Sequence, residues 1–209
     1  MRASTVVERD EFWALIEEAR ITADGDAHEQ VELLVDRLRR LSPAEIRFFS
    51  RQWDLVTHEG HIWDLVGAAY VLDGYVSDDH FDYFRPWLMM HGRDVWEAAV
   101  ADVENLADAP LRFVNGWPQL EDALYMDVRA YGEATGRGED AFYEDMTEDD
   151  REEHRRLALA PLRGVPLPET DEECARCWPR LWARYAARPE RLAFIQRLEE
   201  AVNPHQPTW

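Results

Sequence analysis

Apolar residues recur every three or four positions through the first half of the chain, the spacing of one face of an α-helix. Asp26 and Glu29 have the spacing of a capping box before one such run. Ser42-Pro43-Ala44-Glu45, a capping-box pattern with proline at the first helical position, precedes the next. Stop signals follow at Gly60 and at Asp73-Gly74. The pattern therefore predicts four helices. Their predicted inward faces are Phe12, Ile16 and Ala19; Val31, Leu34, Val35, Leu38 and Leu41; Ile46, Phe49, Trp53 and Val56; and Ile62, Leu65, Val66, Ala69 and Leu72.

A fifth helix is predicted after Ser77, with a narrow polar stripe on a broad apolar surface. At 100° per residue, the apolar arc consists of Phe81, Phe84, Trp87 and Leu88, with His80, Tyr83, Met90 and His91 at its edges. The stripe consists of Asp78, Asp82, Arg85 and Met89, with Asp79 at its border. Pro86 lacks an amide hydrogen, so we expect it to free the carbonyl of Asp82 and to kink the helix.

The stripe has two interpretations. In the structural one, Ser77 caps the helix, Asp78 and Asp79 interact favourably with the helix dipole, and Asp82 pairs with Arg85. In the functional one, a polar stripe between aromatic borders lines a cleft that binds a cation or a small molecule.

The remaining chain is predicted to be mostly helical. Further helices are predicted over residues 93–100, 119–134, 172–187 and 190–202, and a charged helix is predicted from a cap at Thr147 to Leu159. Residues 111–117 fit a loop or a short strand, residues 136–150 an exposed loop, residues 161–168 a proline-containing linker, and residues 203–209 a polar tail.

These elements indicate an all-α fold, an irregular multi-helix bundle with a helical C-terminal extension. We predict three segments. Residues 8–135 form the core domain, residues 136–168 form an acidic loop, charged helix and linker, and residues 169–209 form an extension packed on the core.

The net charge of −20, with arginine as the only strongly basic residue type, narrows the classes of partner. Such a charge repels phosphate backbones and anionic lipids, so neither nucleic acid nor a membrane surface is an expected partner. A basic partner protein or a small-molecule ligand suits it better, although acidity also serves solubility. No apolar run is long enough for a membrane span, which makes the cytoplasm the expected location. The oligomeric state stays open.

Three other motifs each have a functional and a structural interpretation. The segment His58-Glu59-Gly60-His61 resembles a zinc-protease motif but is one residue too short. Cys174 and Cys177 could supply half of a zinc site or a dithiol, yet no second ligand pair accompanies them. The acidic run at residues 139–153 lacks calcium-loop spacing, and a solvated face or a docking surface for a basic partner fits it better.

The sequence resembles the domain of unknown function 4240 (DUF4240) family of bacterial proteins over roughly residues 10–135. The residues that carry the resemblance are Phe12-Trp13, Leu41-Ser42, Trp63-Asp64-Leu65-Val66-Gly67-Ala68-Ala69-Tyr70, Ser77-Asp78-Asp79, Phe81-Asp82-Tyr83-Phe84-Arg85, Trp87-Leu88 and Gly92-Arg93. Tyr75-Val76 stand where that family usually shows Gly-Cys, and Pro86 occupies a commonly small position. The resemblance implies a fold but no activity.

Our leading hypothesis is a ligand- or protein-binding accessory or regulatory module without a cofactor, because no complete catalytic motif is present. The predicted binding residues are Tyr70, Asp78, Asp79, Asp82, Tyr83 and Arg85. The alternative is a metal-assisted hydrolase or another enzyme. In it, Asp78, Asp79 and Asp82 hold a divalent cation, and His80 or a nearby carboxylate acts as the base.

Overall fold

The computed structural model describes the backbone of residues 2–202 and the side chains of residues 9–198, 200 and 201. The predicted polar tail, residues 203–209, lies outside the described residues. Within residues 2–202 the structure contains twelve α-helices and no strand, so the predicted all-α multi-helix fold is confirmed. The helices are α1 (Arg2–Thr22), α2 (Ala27–Leu38), α3 (Pro43–Glu59), α4 (Trp63–Asp73), α5 (Asp78–Met89), α6 (Arg93–Ala101), α7 (Met126–Thr135), α8 (Asp140–Glu144), α9 (Glu148–Ala158), α10 (Asp171–Cys177), α11 (Pro179–Tyr185) and α12 (Pro189–Val202). Two 3₁₀-helices cover Val103–Ala107 and Glu121–Leu124.

The predicted caps set the boundaries of several helices. Ser42 accepts from the amide of Glu45 while the Glu45 carboxylate accepts from the amide of Ser42, a complete capping box at the start of α3. Asp26 caps α2 through the amides of His28 and Glu29. At the end of α4, Gly74 adopts a φ of 84°, a left-handed conformation that glycine reaches without a Cβ clash.

Most of the helices share one apolar core. Phe12, Phe49, Phe84, Trp87 and Trp96 are among its largest fully buried side chains. A smaller cluster, built from Ile46, Val128, Tyr131, Ala141 and Phe142, joins α3 to α7 and α8.

The C-terminal helices α10 and α11 belong to the main core. Cys174, Trp178, Leu181 and Tyr185 are all buried in it. The Trp178 ring lies against α4 at Gly67, where an added Cβ would come within 2.0 Å of the indole. The division of the chain at residues 135 and 168 stays a prediction, but these contacts place residues 174–185 and the first helices in one packed unit.

Trp87 and His91 fix the irregular segment that follows α6. The indole N–H of Trp87 donates to the Arg112 carbonyl at 2.8 Å. His91 Nδ1 lies 2.9 Å from the Trp87 carbonyl, and His91 Nε2 accepts from the Arg112 amide at 2.9 Å. Burial lowers the pKa of His91 to about 4, so its imidazole is neutral at physiological pH. The two bonds to Arg112 attach the segment to the C-terminal end of α5, and the bond between His91 and Trp87 orients the imidazole.

Three predicted element boundaries were wrong. Residues 119–134 do not form one helix, because the Leu120 amide donates to the Tyr83 carbonyl and α7 begins only at Met126, after a 3₁₀ turn. Residues 136–150 are not a loop throughout, because Ala141 and Phe142 bury their side chains and form α8. Residues 172–187 form two helices, because Pro179 has no amide hydrogen and begins a new helix, α11.

The structure also decides between a loop and a strand at residues 111–117 and shows the full extent of the fifth helix. Residues 111–117 form a loop with a single bridge between Val114 and Trp117. The helix α5 continues through Pro86 to Met89. Met89 was predicted on the polar stripe but is completely buried, with its sulfur 3.2 Å from Thr57 Oγ1 of α3.

We predict that Gly67→Ala weakens the attachment of α10 and α11 to the core. The added methyl cannot coexist with the Trp178 ring, and such overpacking costs about 1–3 kcal/mol. Urea unfolding measures the change in the free energy of unfolding. In a Trp178→Leu background the same substitution should cost much less. An equal cost in both backgrounds would contradict this account of the contact.

Candidate functional site

At the start of α5, two acidic side chains lie beside the N-cap residue Ser77. Ser77 Oγ accepts from the His80 amide at 3.3 Å and lies 2.9 Å from His80 Nδ1. Asp78 and Asp79 occupy the first turn and are exposed. The cap is therefore satisfied by Ser77 alone, and both carboxylates remain accessible to solvent.

The structure distributes the six predicted binding residues among different neighbours. Tyr70 donates to Asp171 Oδ1 at 2.7 Å, and burial followed by the charge and hydrogen bond of Asp171 raises the pKa of Tyr70 to about 12. Asp82 forms an ion pair with Arg85. Tyr83 instead faces Glu121, with its hydroxyl 3.5 Å from the carboxylate. Their role in binding stays a prediction.

Arg85 connects α5 to the His58–His61 segment. Its side chain is only 12% exposed, lies 4.6 Å from the centre of the Phe81 ring, and approaches His61 Nδ1 at 3.3 Å. The His61 ring stacks on His58 with ring centres 5.8 Å apart. Burial and the nearby Arg85 charge lower the pKa of His61, which favours the neutral imidazole. Arg85 is thus built into the fold, and its charge is neutralised by Asp82.

The described residues contain no group of three or more His, Cys, Asp or Glu side chains that could hold a metal ion. Asp82, which the metal-assisted alternative requires, is paired with Arg85. Cys174 is buried and Cys177 exposed, both as free thiols, and burial raises the pKa of Cys174 to about 11. The geometry of the described part of the chain gives the metal and thiolate interpretations no support.

The acidic run at residues 139–153 is largely committed to local structure. Asp150 completes a capping box with Thr147 at the start of α9. Glu144 and Asp145 both pair with Arg137, and hydrogen bonds from Arg137 and Tyr131 lower the pKa of Asp145. Docking of a basic partner on this run stays a prediction.

A second set of side chains forms what we call the acidic–aromatic patch: Asp79, Tyr83, Glu121 and Tyr125. Partial desolvation raises the pKa of Tyr83, and the charges of Glu121 and Asp79 and the Tyr125 phenol raise it further. Tyr125 is 47% exposed. Asp79 and Tyr83 are one turn apart on α5, and the Tyr83 hydroxyl lies 3.5 Å from the Glu121 carboxylate, so these side chains share one accessible surface, with Tyr125 following Glu121 by four residues.

Sequence reasoning missed the part of this patch that lies outside α5. Glu121 and Tyr125 fall in a segment that was predicted to be a regular helix, which gave no reason to place them beside Tyr83. The hydrogen bond from the Leu120 amide to the Tyr83 carbonyl brings them there, at 3.1 Å. No local pattern in the sequence signals a bond between positions 83 and 120.

Asp73 is a buried acid that the sequence interpretation treated only as a helix stop. It is 3% exposed; its Oδ2 accepts from Gln119 at 2.7 Å, and its Oδ1 has no hydrogen-bond partner among the described residues. Burial raises the pKa of Asp73 to about 6, although Gln119, His80 and Arg188 each act to lower it. A signal was available, because Asp73 follows Val66 and Ala69 at the i+7 and i+4 positions of the apolar face.

We predict that Asp73 makes stability depend on pH. The folded pKa of about 6 lies above the unfolded value of roughly 3.9. The folded state therefore binds more protons between these values, and the contribution present below about pH 4 is lost as the pH rises through about 6. Asp73→Asn removes the titration. The free energy of unfolding of this variant, relative to the parent chain, should increase by about 2 kcal/mol between about pH 4 and pH 7.

Urea unfolding across this pH range measures the difference, and Asp140→Asn, a change at an exposed position of α8, is the matched control. A difference that stays constant with pH for Asp73→Asn would contradict the assignment.

Comparisons with known proteins give one match. A family model described as Protein of unknown function (DUF4240) matches residues 7–133. Neither the curated proteins nor the solved structures gave a match. Among the described residues, no helix is long and apolar enough to cross a membrane. The family match includes α5 and all four residues of the acidic–aromatic patch, and it spans more than half of the chain, so the protein belongs to the DUF4240 family.

Proposed function

We propose that this protein is a non-catalytic binding module whose acidic–aromatic patch at the start of α5 binds a cationic group of a partner. The partner chemistry that fits best is an exposed arginine or lysine side chain of a basic protein segment. A module of this kind would act as an accessory or regulatory factor.

One observation carries the proposal: the Tyr83 hydroxyl lies 3.5 Å from the Glu121 carboxylate and one helical turn from the exposed Asp79, and Tyr125, four residues after Glu121, is 47% exposed. Two neighbouring acids are already engaged, since Asp82 binds Arg85 and Asp122 lies 2.9 Å from His28. Carboxylates next to tyrosine rings suit a guanidinium or ammonium group, which interacts with the carboxylate charge and with the face of the ring.

The charge of the whole chain supports the same choice of partner. A net charge of −20 attracts basic molecules over long range and raises their rate of encounter. That attraction is not selective, so the local arrangement of the patch must supply the specificity. Binding should consequently weaken with added salt while keeping its preference for the patch.

We predict that Asp79→Asn combined with Glu121→Gln weakens binding of an arginine-rich 12-residue probe peptide about tenfold, or about 1.4 kcal/mol. Fluorescence anisotropy of the labelled peptide with the full chain measures the affinity at low and high salt. Glu139→Gln combined with Asp140→Asn removes the same charge from an exposed region around α8 and is the matched control. Equal losses in both double variants would show that only net charge matters and would refute the proposal.

A second prediction separates the ring of Tyr83 from its hydroxyl. Tyr83→Phe retains the aromatic face and should bind the same probe within about twofold of the parent, whereas Tyr83→Ala should lose about fivefold, or ~1 kcal/mol. Circular dichroism verifies that both variants keep their helices. If the two variants bind alike, the aromatic face has no part in recognition.

A further inference from the structure

The last helix, α12, lies in a groove formed by the α4 end of the core and the segment after α6. We call this the α12 groove and define it by Tyr70, Asp73, Tyr75, Phe113 and Trp117. All five residues lie within the range that matches the family, whereas α12 lies beyond it.

Arg188 enters the groove just before α12 begins. Its guanidinium donates to the Leu72 carbonyl at 3.1 Å and to the Gly116 carbonyl at 2.5 Å. The same group lies 3.6 Å from the centre of the Phe113 ring. Arg188 therefore bridges the end of α4 and the irregular segment, and stacks on an aromatic ring that belongs to that segment.

Arg191 is the second arginine and is 2% exposed. Its guanidinium lies 5.8 Å from the Tyr70 ring and 5.0 Å from the Trp182 ring. Nη1 donates to the Ala186 carbonyl at 3.1 Å, while Nε and Nη2 have no hydrogen-bond partner among the described residues. The carboxylate of Asp171 is 3.8 Å from Nη2.

Phe194 completes the contact one helical turn later. Its ring centre is 5.3 Å from Trp117, 6.2 Å from Tyr75 and 6.5 Å from His80 of α5. At Gly74 an added Cβ would come within 2.7 Å of Ile195. The groove therefore accepts a helix together with the residue just before it, with arginines three positions apart and an aromatic residue three positions later, in the order Arg188, Arg191, Phe194.

The attachment of α12 differs from that of the core helices. Arg191 is the one fully buried side chain among the described residues of α12, while Phe194 and Ile195 are half-buried and Leu192 is 50% exposed. The buried Arg191 guanidinium keeps one hydrogen bond, to the Ala186 carbonyl, and a 3.8 Å ion pair with Asp171, which compensate only part of the hydration that it loses on docking. An element with few buried apolar side chains typically opens locally before the rest of the fold.

Residues 117–121 connect the groove to the acidic–aromatic patch. Trp117 contacts Phe194, and Gln119 binds Asp73 in the groove. The next two residues reach the patch, with the Leu120 amide donating to the Tyr83 carbonyl and Glu121 approaching the Tyr83 hydroxyl. Release of α12 thus removes contacts from one end of the segment that positions Glu121 at the other.

We propose that the α12 groove is a recognition surface for an arginine- and phenylalanine-bearing helix, that α12 is its detachable intramolecular occupant, and that docking of α12 controls the acidic–aromatic patch. The last part, the regulation of the patch, rests on the proposed function. The groove and the detachment of α12 stand on the contacts of Arg188, Arg191 and Phe194.

Hydrogen exchange followed by mass spectrometry on the full chain tests the proposal. In the parent chain, amides of α12 should exchange at least tenfold faster than those of α3. Relative to the parent chain, Arg191→Ala should accelerate exchange at least tenfold in α12 and in residues 114–120. Exchange in α1–α3 should stay unchanged. Gln196→Ala, at an exposed position of the same helix whose side chain bonds to Glu200 one turn later, is the control and should change neither region.

Two results would overturn the proposal. If α12 and α3 exchange together in the parent chain, α12 is part of the cooperative core. If Arg191→Ala releases α12 while residues 114–120 keep their protection, the groove is not coupled to the patch. Should Arg191→Ala unfold the whole chain, the half-buried Phe194→Ala serves as the second variant and must meet the same criteria.

A peptide of residues 187–198 provides a test in trans. Added to the Arg191→Ala chain, it should restore protection of residues 114–120, whereas the peptide carrying the same Arg→Ala change should not. Absence of rescue by the parent peptide refutes recognition by the groove. These exchange measurements need no ligand at the patch, so they can fail or succeed independently of the probe-binding experiment.

Discussion

The hydrogen bond from the Trp87 indole to the Arg112 carbonyl holds together the part of the structure on which both proposals depend. Trp87 is 1% exposed, and its ring packs against Phe84, His91 and Phe113. By fixing residue 112, it sets the path of an irregular segment that has no repeating backbone hydrogen bonds of its own. Phe113, Trp117, Gln119 and Glu121 all reach their partners from this segment. A single buried indole in α5 therefore positions contacts to α4, α12 and the start of α5 itself.

Several arginines in this fold make contacts with aromatic rings that lysine could not reproduce. Arg47 lies 4.8 Å from the Tyr131 ring and 5.1 Å from the Phe142 ring, and Arg85, Arg188 and Arg191 each lie against aromatic rings while their guanidinium groups are largely buried. A planar, weakly hydrated guanidinium can stack on a ring and donate in its plane at the same time, whereas an ammonium group cannot. The absence of lysine therefore agrees with how the basic residues are used, with several of the positive charges inside and many acids outside.

The sequence predicted what depends on local periodicity and local caps. Ser42, Asp26 and Ser77 cap their helices because each bonds within three residues, a distance at which the sequence pattern and the geometry coincide. Residues 119–125 could not be predicted in this way, because a bond to Tyr83 overrides their helical pattern. Two further features could have been predicted from the sequence: the helix start at Pro179 and the burial of Asp73, which lies on the apolar face of its helix. Asp78, Asp79 and Asp82 were correctly placed on one helix, and the pair of Asp82 with Arg85 was predicted, but Glu121 and Tyr125, which join Asp79 and Tyr83 in the patch, come from a distant part of the chain.

The contact of Trp178 with Gly67 means that the range matched by the family model and the range that packs into one core have different boundaries in this protein. The family match ends at residue 133, yet Trp178 fills a space in α4 that lies within the matched range. A fragment cut at the family boundary would expose the apolar floor of that space, together with the surfaces covered by Leu181 and Tyr185. A chain that carried only the matched range would need another cover for the same surface, such as a larger residue at the position of Gly67 or a second protein chain.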